Sequence, residues 1–501
     1  MSSFPPSSPA TPANPVPPTA SEPMGREFHF RSIVVPNAAF GCIGSILRQD
    51  GGRCGIVFAL LFWASALAAR AEDALPPEAR ALVVLDSRLH HFVAPELVAY
   101  VSAAEARREF PIAILPVDGI DDWKPPRVRA SISAWLASNP KLEGILFVGN
   151  IKLPSFFMPR PDLPETRLWP RYYEDPELVA ERTIAPGTIL QPASGANPTW
   201  PFIAGEKEFA VPEHDFDDLH PASATRPRLW TAYLPVGYAE DSRNTYGSWA
   251  KQLAPFFKKA LGFYQHPDLY DRSIYIVSND LSVLTRAGSL WESIGPRNIE
   301  FYSINEKGPG AFKDNPAGYS RTDLGKYGSL KEFADYAGQL PWMDEGWQSP
   351  EVFLSHMKAS QRRVVCWNVH SNPELSLLNW QQARSMEGGG LVAVMLGCGV
   401  AGYTQPGSTS NVDTATPVDR NVMVNVVYGK SAFVAATGSP FARVRDENGT
   451  PFYRTLYGDG SYLGRAHLLR LRDGQPTSPR ELRQQQEILI GDPFVDARGT
   501  P

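Results

Sequence analysis

Two apolar runs in this 501-residue chain end on side chains that can form a nucleophile–acid pair. Val364-Val-Cys-Trp-Asn-Val-His370-Ser-Asn372 closes on an imidazole, and Leu391-Val-Ala-Val-Met-Leu-Gly-Cys398-Gly399 closes on a thiol. A thiolate is nucleophilic enough for acyl transfer, and a nearby imidazole can supply or withdraw the proton. Glycines on both sides of Cys398 permit a tight turn that leaves the thiol and its amide exposed at a sheet edge. Functional residues of open α/β sheets collect beyond the carboxyl ends of strands. If these two strands are neighbours, His370 and Cys398 face one cleft. Taken singly, each residue also fits a plainer role, Cys398 as a small core residue and His370 as a structural histidine.

The remaining candidates are weaker. Cys366 lies mid-strand among Val364, Val365 and Trp367 and reads as inert core; with no fourth ligand in sight, a zinc site with His370 and Cys398 is not supported. Asp86, Asn150 and Asp280 fall at predicted strand ends, where one could orient His370, although caps and turns are the commoner use of such residues. His90-His91 reads as a solvated pair in a loop, and Glu374 is close enough in sequence to tune His370. The acidic stretch 213–220 has carboxylates for calcium but no EF-hand spacing, so it reads as a solvated loop. Asn448-Gly-Thr450 fits a glycosylation acceptor.

The elements that must position His370 and Cys398 alternate strand and helix. Ala81–Leu85, Pro111–Leu115 and Leu142–Val148 read as strands, separated by helices over Ala94–Glu109 and Val128–Ser138. That order implies βαβ units and a parallel sheet. Residues 151–227, rich in proline, aromatics and aspartate, interrupt the rhythm as an ordered insertion. Leu229–Leu234 and a helix around Tyr246–Tyr264 restore it. A second series follows: Ser273–Val277, a helix near Leu281–Ile294, Ile299–Tyr302, helices near 329–338 and 349–359, then strands Arg363–Val369, Leu391–Leu396 and Ser431–Ala436.

The amino-terminal part is not expected to join this fold. Residues 1–24 are dominated by proline and serine and cannot offset their ordering entropy. Arg48 and Arg53 then precede an apolar run, Gly55–Ala69, that ends in Ala-x-Ala spacing before Glu72-Asp73. This is the pattern of a secretory signal peptide over 48–71, and the run is short for the roughly 20 residues that cross a bilayer. The expectation is an exported, periplasmic or secreted protein with no stable membrane span after cleavage. A net charge of −5 gives no electrostatic footprint for nucleic acid, and four cysteines in such a chain are no disulfide framework.

Several segments together resemble the gingipain family of clan CD cysteine peptidases. The order His then Cys, each after an apolar strand, is similar to that family's. Gly144-Ile-Leu-Phe-Val-Gly-Asn150 with Leu153-Pro154 resembles its "LVGD…IP" strand and turn, and Arg228-Leu-Trp-Thr-Ala-Tyr-Leu-Pro-Val-Gly237 its "vGR" element. Gln486-Glu-Ile-Leu-Ile-Gly-Asp-Pro493 resembles its closing "LfGDP", with Gly491, Asp492 and Pro493 matching outright. The resemblance spans about 80–497.

It implies a caspase-like α/β fold of mostly parallel sheets flanked by helices. It further implies a thioester mechanism on protein or peptide substrates, with no organic cofactor, and structural calcium as an option taken from relatives. Cys398 would attack the scissile carbonyl, His370 would protonate the leaving amine, and the amides of Cys398 and Ser371 would hold the oxyanion. The chain departs from the family's Gly-His-Gly, reading Val369-His370-Ser371, and from its Ala-Cys, reading Gly397-Cys398. The acid of the specificity pocket has no motif to place it. The expected organisation is an N-terminal α/β sub-domain over 72–265 and a catalytic one over 266–497. A catalytically inactive pseudo-peptidase that binds a partner at the cleft is the alternative, and a ligand-binding α/β protein a third reading.

Overall fold

The computed structural model describes residues 78–119, 123–158, 165–176, 189–190, 209–210, 227–237, 242–278, 299–303, 318–319, 350–359, 361–369, 371–404, 416–440, 449–457, 461–473 and 487–497. The predicted leader 48–71, Asp280, Asn448 and the acidic stretch 213–220 lie outside them, as does His370 itself.

The first strands form as the apolar runs predict. β1 (Ala81–Asp86) pairs in parallel with β2 (Ile112–Val117) and β3 (Gly144–Gly149). Their crossovers are α1 (Ser87–Arg108) and α2 (Pro125–Ser138). α1 begins well before the predicted Ala94. The Asp86 carboxylate accepts from the Arg88 amide at 3.0 Å and grips its guanidinium at 2.9 and 2.6 Å, which caps the helix at Ser87. His90 and His91 therefore sit on α1 and not in a loop, and burial, together with the neighbouring His91, lowers the pKa of His90 from the ordinary histidine value.

Within 151–227, β4 (Ser155–Met158) and β5 (Glu165–Leu168) form one two-stranded ribbon, and β6 (Ile189–Leu190) and β7 (Phe209–Ala210) another. A short turn of helix, α3 (Arg171–Glu174), follows the first ribbon. β8 (Trp230–Pro235) returns to the main sheet beside β3 and leads into α4 (Thr245–Gln265).

The second series supplies β9 (Asp271–Ser278), β10 (Ile299–Ser303) and the two-residue β11 (Gly318–Tyr319). Then come α5 (Pro350–Ala359), β12 (Gln361–Asn368), α6 (Trp380–Ser385) and β13 (Gly389–Met395). The minor pair β14 (Tyr403–Thr404) and β15 (Thr416–Pro417) precedes α7 (Val422–Tyr428) and β16 (Ala435–Gly438). β16 starts later than the predicted Ser431. The Ser431 hydroxyl donates to the Val426 carbonyl at 2.6 Å, and its own carbonyl accepts from Lys259, so this stretch serves α7 first. α8 (Gly449–Tyr457), α9 (Leu463–Asp473) and β17 (Ile488–Gly491) complete the described elements.

Among the described residues the main sheet has eleven strands in the order β11-β10-β9-β12-β13-β16-β17-β8-β3-β1-β2. The fold is α/β, with a mixed, mostly parallel sheet flanked by helices. β17 is antiparallel to β16 and lies next to β8, so a strand from the end of the chain joins strands of 72–265 to strands of 266–497 in one sheet.

The segment after β17 fastens this junction. Asp492 is fully buried and accepts from Tyr100 of α1 at 2.7 Å, Tyr264 of α4 at 2.8 Å and the Phe494 amide at 2.8 Å. Burial pushes its pKa up to about 6, because removing a carboxylate from water penalises the charged form. Asp496 nearby pairs with Arg107 and Arg108 at the end of α1. A second buried polar group lies under α9, where His467 stands 3.6 Å from Glu174 and 3.8 Å from Glu487, and Arg470 is 3.2 Å from Glu487.

Candidate active site

β12 and β13 are adjacent and parallel, with Trp367 opposite Met395. Both consist of residues that favour a sheet buried on two faces: Val364, Val365, Cys366 and Trp367 on one, Leu391 to Met395 on the other, all buried. Trp367 packs against Phe353 and Phe433, with ring centroids 5.4 and 5.8 Å away, and this fixes the end of β12. The ladder runs one bond past β13, where the Leu396 amide donates to the Trp367 carbonyl at 2.9 Å. The two chains therefore leave the sheet side by side.

Beyond that bond the loops touch. A Cβ built on Gly397 would stand 1.6 Å from Ser371 Oγ and 2.6 Å from the Val369 carbonyl, so only glycine permits this approach. Ser371 Oγ donates to the Cys398 carbonyl at 3.2 Å. Gly399 follows with φ +65°, and the Gly402 amide donates to the Gly399 carbonyl at 2.8 Å, closing the turn. The Cys398 side chain is half-exposed at the start of this turn.

The residues on both sides of position 370 thus lie against Gly397 and Cys398. Both oxyanion candidates named from sequence, the amides of Ser371 and Cys398, belong to loops in contact.

The other cysteine has a different setting. Cys366 is buried in β12 between Ile276 and Val394, with the Tyr453 hydroxyl 3.6 Å from its sulfur. Asp86 caps α1 and pairs with Arg88, and Glu374 Oε1 accepts from the Thr416 hydroxyl at 2.7 Å. Asn150 is buried just after β3. Among the described residues no group of three or more His, Cys, Asp or Glu side chains is arranged to hold a metal ion, and no helix is long and apolar enough to cross a membrane.

Sequence reasoning missed the stretch 416–422, which contacts both loops. The Val422 amide donates to the Pro373 carbonyl at 2.8 Å, and the Thr416 amide to that of Gly402 at 3.4 Å. One available signal was Asn421, a good N-cap residue immediately before a run of helix length.

No family model matches the chain, and no curated protein matches it. Among solved structures it is similar to the crystal structure of the Arg-specific cysteine proteinase gingipain R (RgpB). The identity is 10%, covering 86% of this chain and 80% of that one, with a TM-score of 0.42. A complex of the pro- and mature domains of RgpB from Porphyromonas gingivalis is similar at 10% identity and TM-score 0.42, covering 84% of this chain and 80% of that one.

Proposed function

We propose that this chain is an exported cysteine endopeptidase acting on proteins or peptides through His370 and Cys398. The observation that carries the reading is the contact of the two loops: Gly397 closed against Val369 and Ser371, and Ser371 bonded to the Cys398 carbonyl. Two adjacent parallel strands deliver those loops to one edge of the sheet, where α/β proteins place their chemistry.

In this mechanism the Cys398 thiolate attacks the scissile carbonyl, forming a C–S bond and a tetrahedral oxyanion. The amide N–H groups of Cys398 and Ser371 donate to that oxyanion. His370 gives its proton to the departing amine as the C–N bond breaks, leaving a thioester. It then takes a proton from water, which attacks the thioester carbonyl and releases the acid and the thiolate.

The competing reading is a pseudo-peptidase that binds a partner at the same cleft. Its support is Ser371, whose hydroxyl occupies space beside Gly397 that a glycine at 371 would leave open. An acyloxymethyl ketone probe, followed by mass spectrometry of the adduct, separates the two. An adduct on Cys398 and none on Cys366 fits the peptidase; no adduct on Cys398 fits the scaffold.

A further inference from the structure

The stretch 416–422 braces both loops of the candidate site. Toward the first loop, the Thr416 hydroxyl donates to Glu374 and the Val422 amide to the Pro373 carbonyl. Toward the second, Asn421 Nδ2 donates to the carbonyls of Val400 at 3.0 Å and Gly402 at 2.9 Å, both in the turn that opens at Cys398. The Asn421 Oδ1 accepts from the Val424 amide at 3.0 Å, which caps α7. Asn421 is fully buried, so both N–H groups and the carbonyl of its amide have protein partners. The other end of α7 is held by Lys259, whose ammonium donates to the carbonyls of Val427, Gly429 and Ser431. The Cys398 turn is fastened to a helix anchored at both ends.

We propose that Asn421 is the positioning residue that holds the Cys398 turn in its reactive geometry; the proposal rests on the peptidase reading above. Its two nearest replacements as helix caps both fall short. Aspartate has the same shape but turns a carboxylate toward two carbonyl oxygens. Serine still caps α7 through its oxygen yet is too short and has too few donors to reach both carbonyls.

The test compares Asn421→Ser and Asn421→Asp with wild type by three readouts. They are kcat and KM on a fluorogenic peptide, the pH profile of Cys398 alkylation by iodoacetamide, and hydrogen exchange of the 399–402 amides. The expected result is a fall in kcat of about 10- to 100-fold with KM little changed, since a misplaced reacting group costs rate more than binding. Faster exchange over 399–402 and a displaced alkylation profile accompany it. Exchange and alkylation matching wild type in both variants overturn the proposal. Those two readouts need no substrate. A wild type that cleaves nothing therefore overturns the peptidase reading, while exchange and alkylation still decide whether Asn421 holds the turn. If neither variant folds, Asn421→Gln, which carries the same donors and acceptor one methylene further out, is read in their place: faster exchange over 399–402 is expected, and exchange at the wild-type rate overturns the proposal.

Discussion

Ser371 donates its hydroxyl to the main-chain carbonyl of Cys398 across 3.2 Å, tying the loop that leaves β12 to the turn that leaves β13. The bond is local, but it fixes the relative height of two backbone segments whose amides are the proposed oxyanion donors. Removing the hydroxyl in Ser371→Ala should cost about 0.5–1.5 kcal/mol in denaturant unfolding, the usual net worth of such a bond. Because the amide remains, peptidase activity should fall by no more than about tenfold, which corresponds to ~1.4 kcal/mol. A loss of several hundredfold would mean that the hydroxyl, and not the amide, is what the site uses.

Gly397 has no room for a methyl group. Gly397→Ala should destabilise the chain by about 1–3 kcal/mol through overpacking. The first obstacle is a side chain and the second a backbone carbonyl, so Ser371→Gly in the same protein should recover part of the loss but not all. Equilibrium unfolding of the two variants and wild type checks both statements. Gly397→Ala as stable as wild type would contradict the close approach of the two loops.

Asp492 makes stability depend on pH in a defined direction. Its pKa is raised to about 6 in the folded protein, so the folded state binds this proton more tightly than the unfolded state does. The contribution is fully present below about pH 4, declines as pH rises toward and through 6, and is constant above about 7. The stability of wild type relative to Asp492→Asn should therefore fall by on the order of 3 kcal/mol across that window. Denaturant melts at pH 4, 5, 6 and 7 measure it, and a difference that stays flat or rises with pH would contradict the assignment.

The strands that carry the site were legible because β12 and β13 are long unbroken apolar runs, and their observed bounds lie within about two residues of the predicted ones. α1 was legible only in part. Its apolar spacing starts in the first turn with Leu89 and Val93 and continues through Leu97, but His90, His91 and Pro95 lie among these residues and obscure the helix start. α7 was hidden for a different reason. Val422, Val424, Val426 and Val427 are β-branched and read more naturally as strand, and tertiary packing under an Asn421 cap overrides that preference. The position of β17 could not be read at all: its neighbours β8 and β16 come from distant parts of the sequence, and no local pattern encodes such a pairing. The same holds for Asn421, whose partners Val400 and Gly402 become visible only once the turn is built.

Whether Cys398 is the nucleophile is decided by cleavage of a fluorogenic peptide library by residues 72–501 under reducing conditions, with Cys398→Ala and Cys366→Ala beside wild type. Wild type and Cys366→Ala are expected to cleave, and Cys398→Ala is expected not to. Cleavage that survives Cys398→Ala, or its absence from all three proteins with Cys398 slow to alkylate, would contradict that role for Cys398.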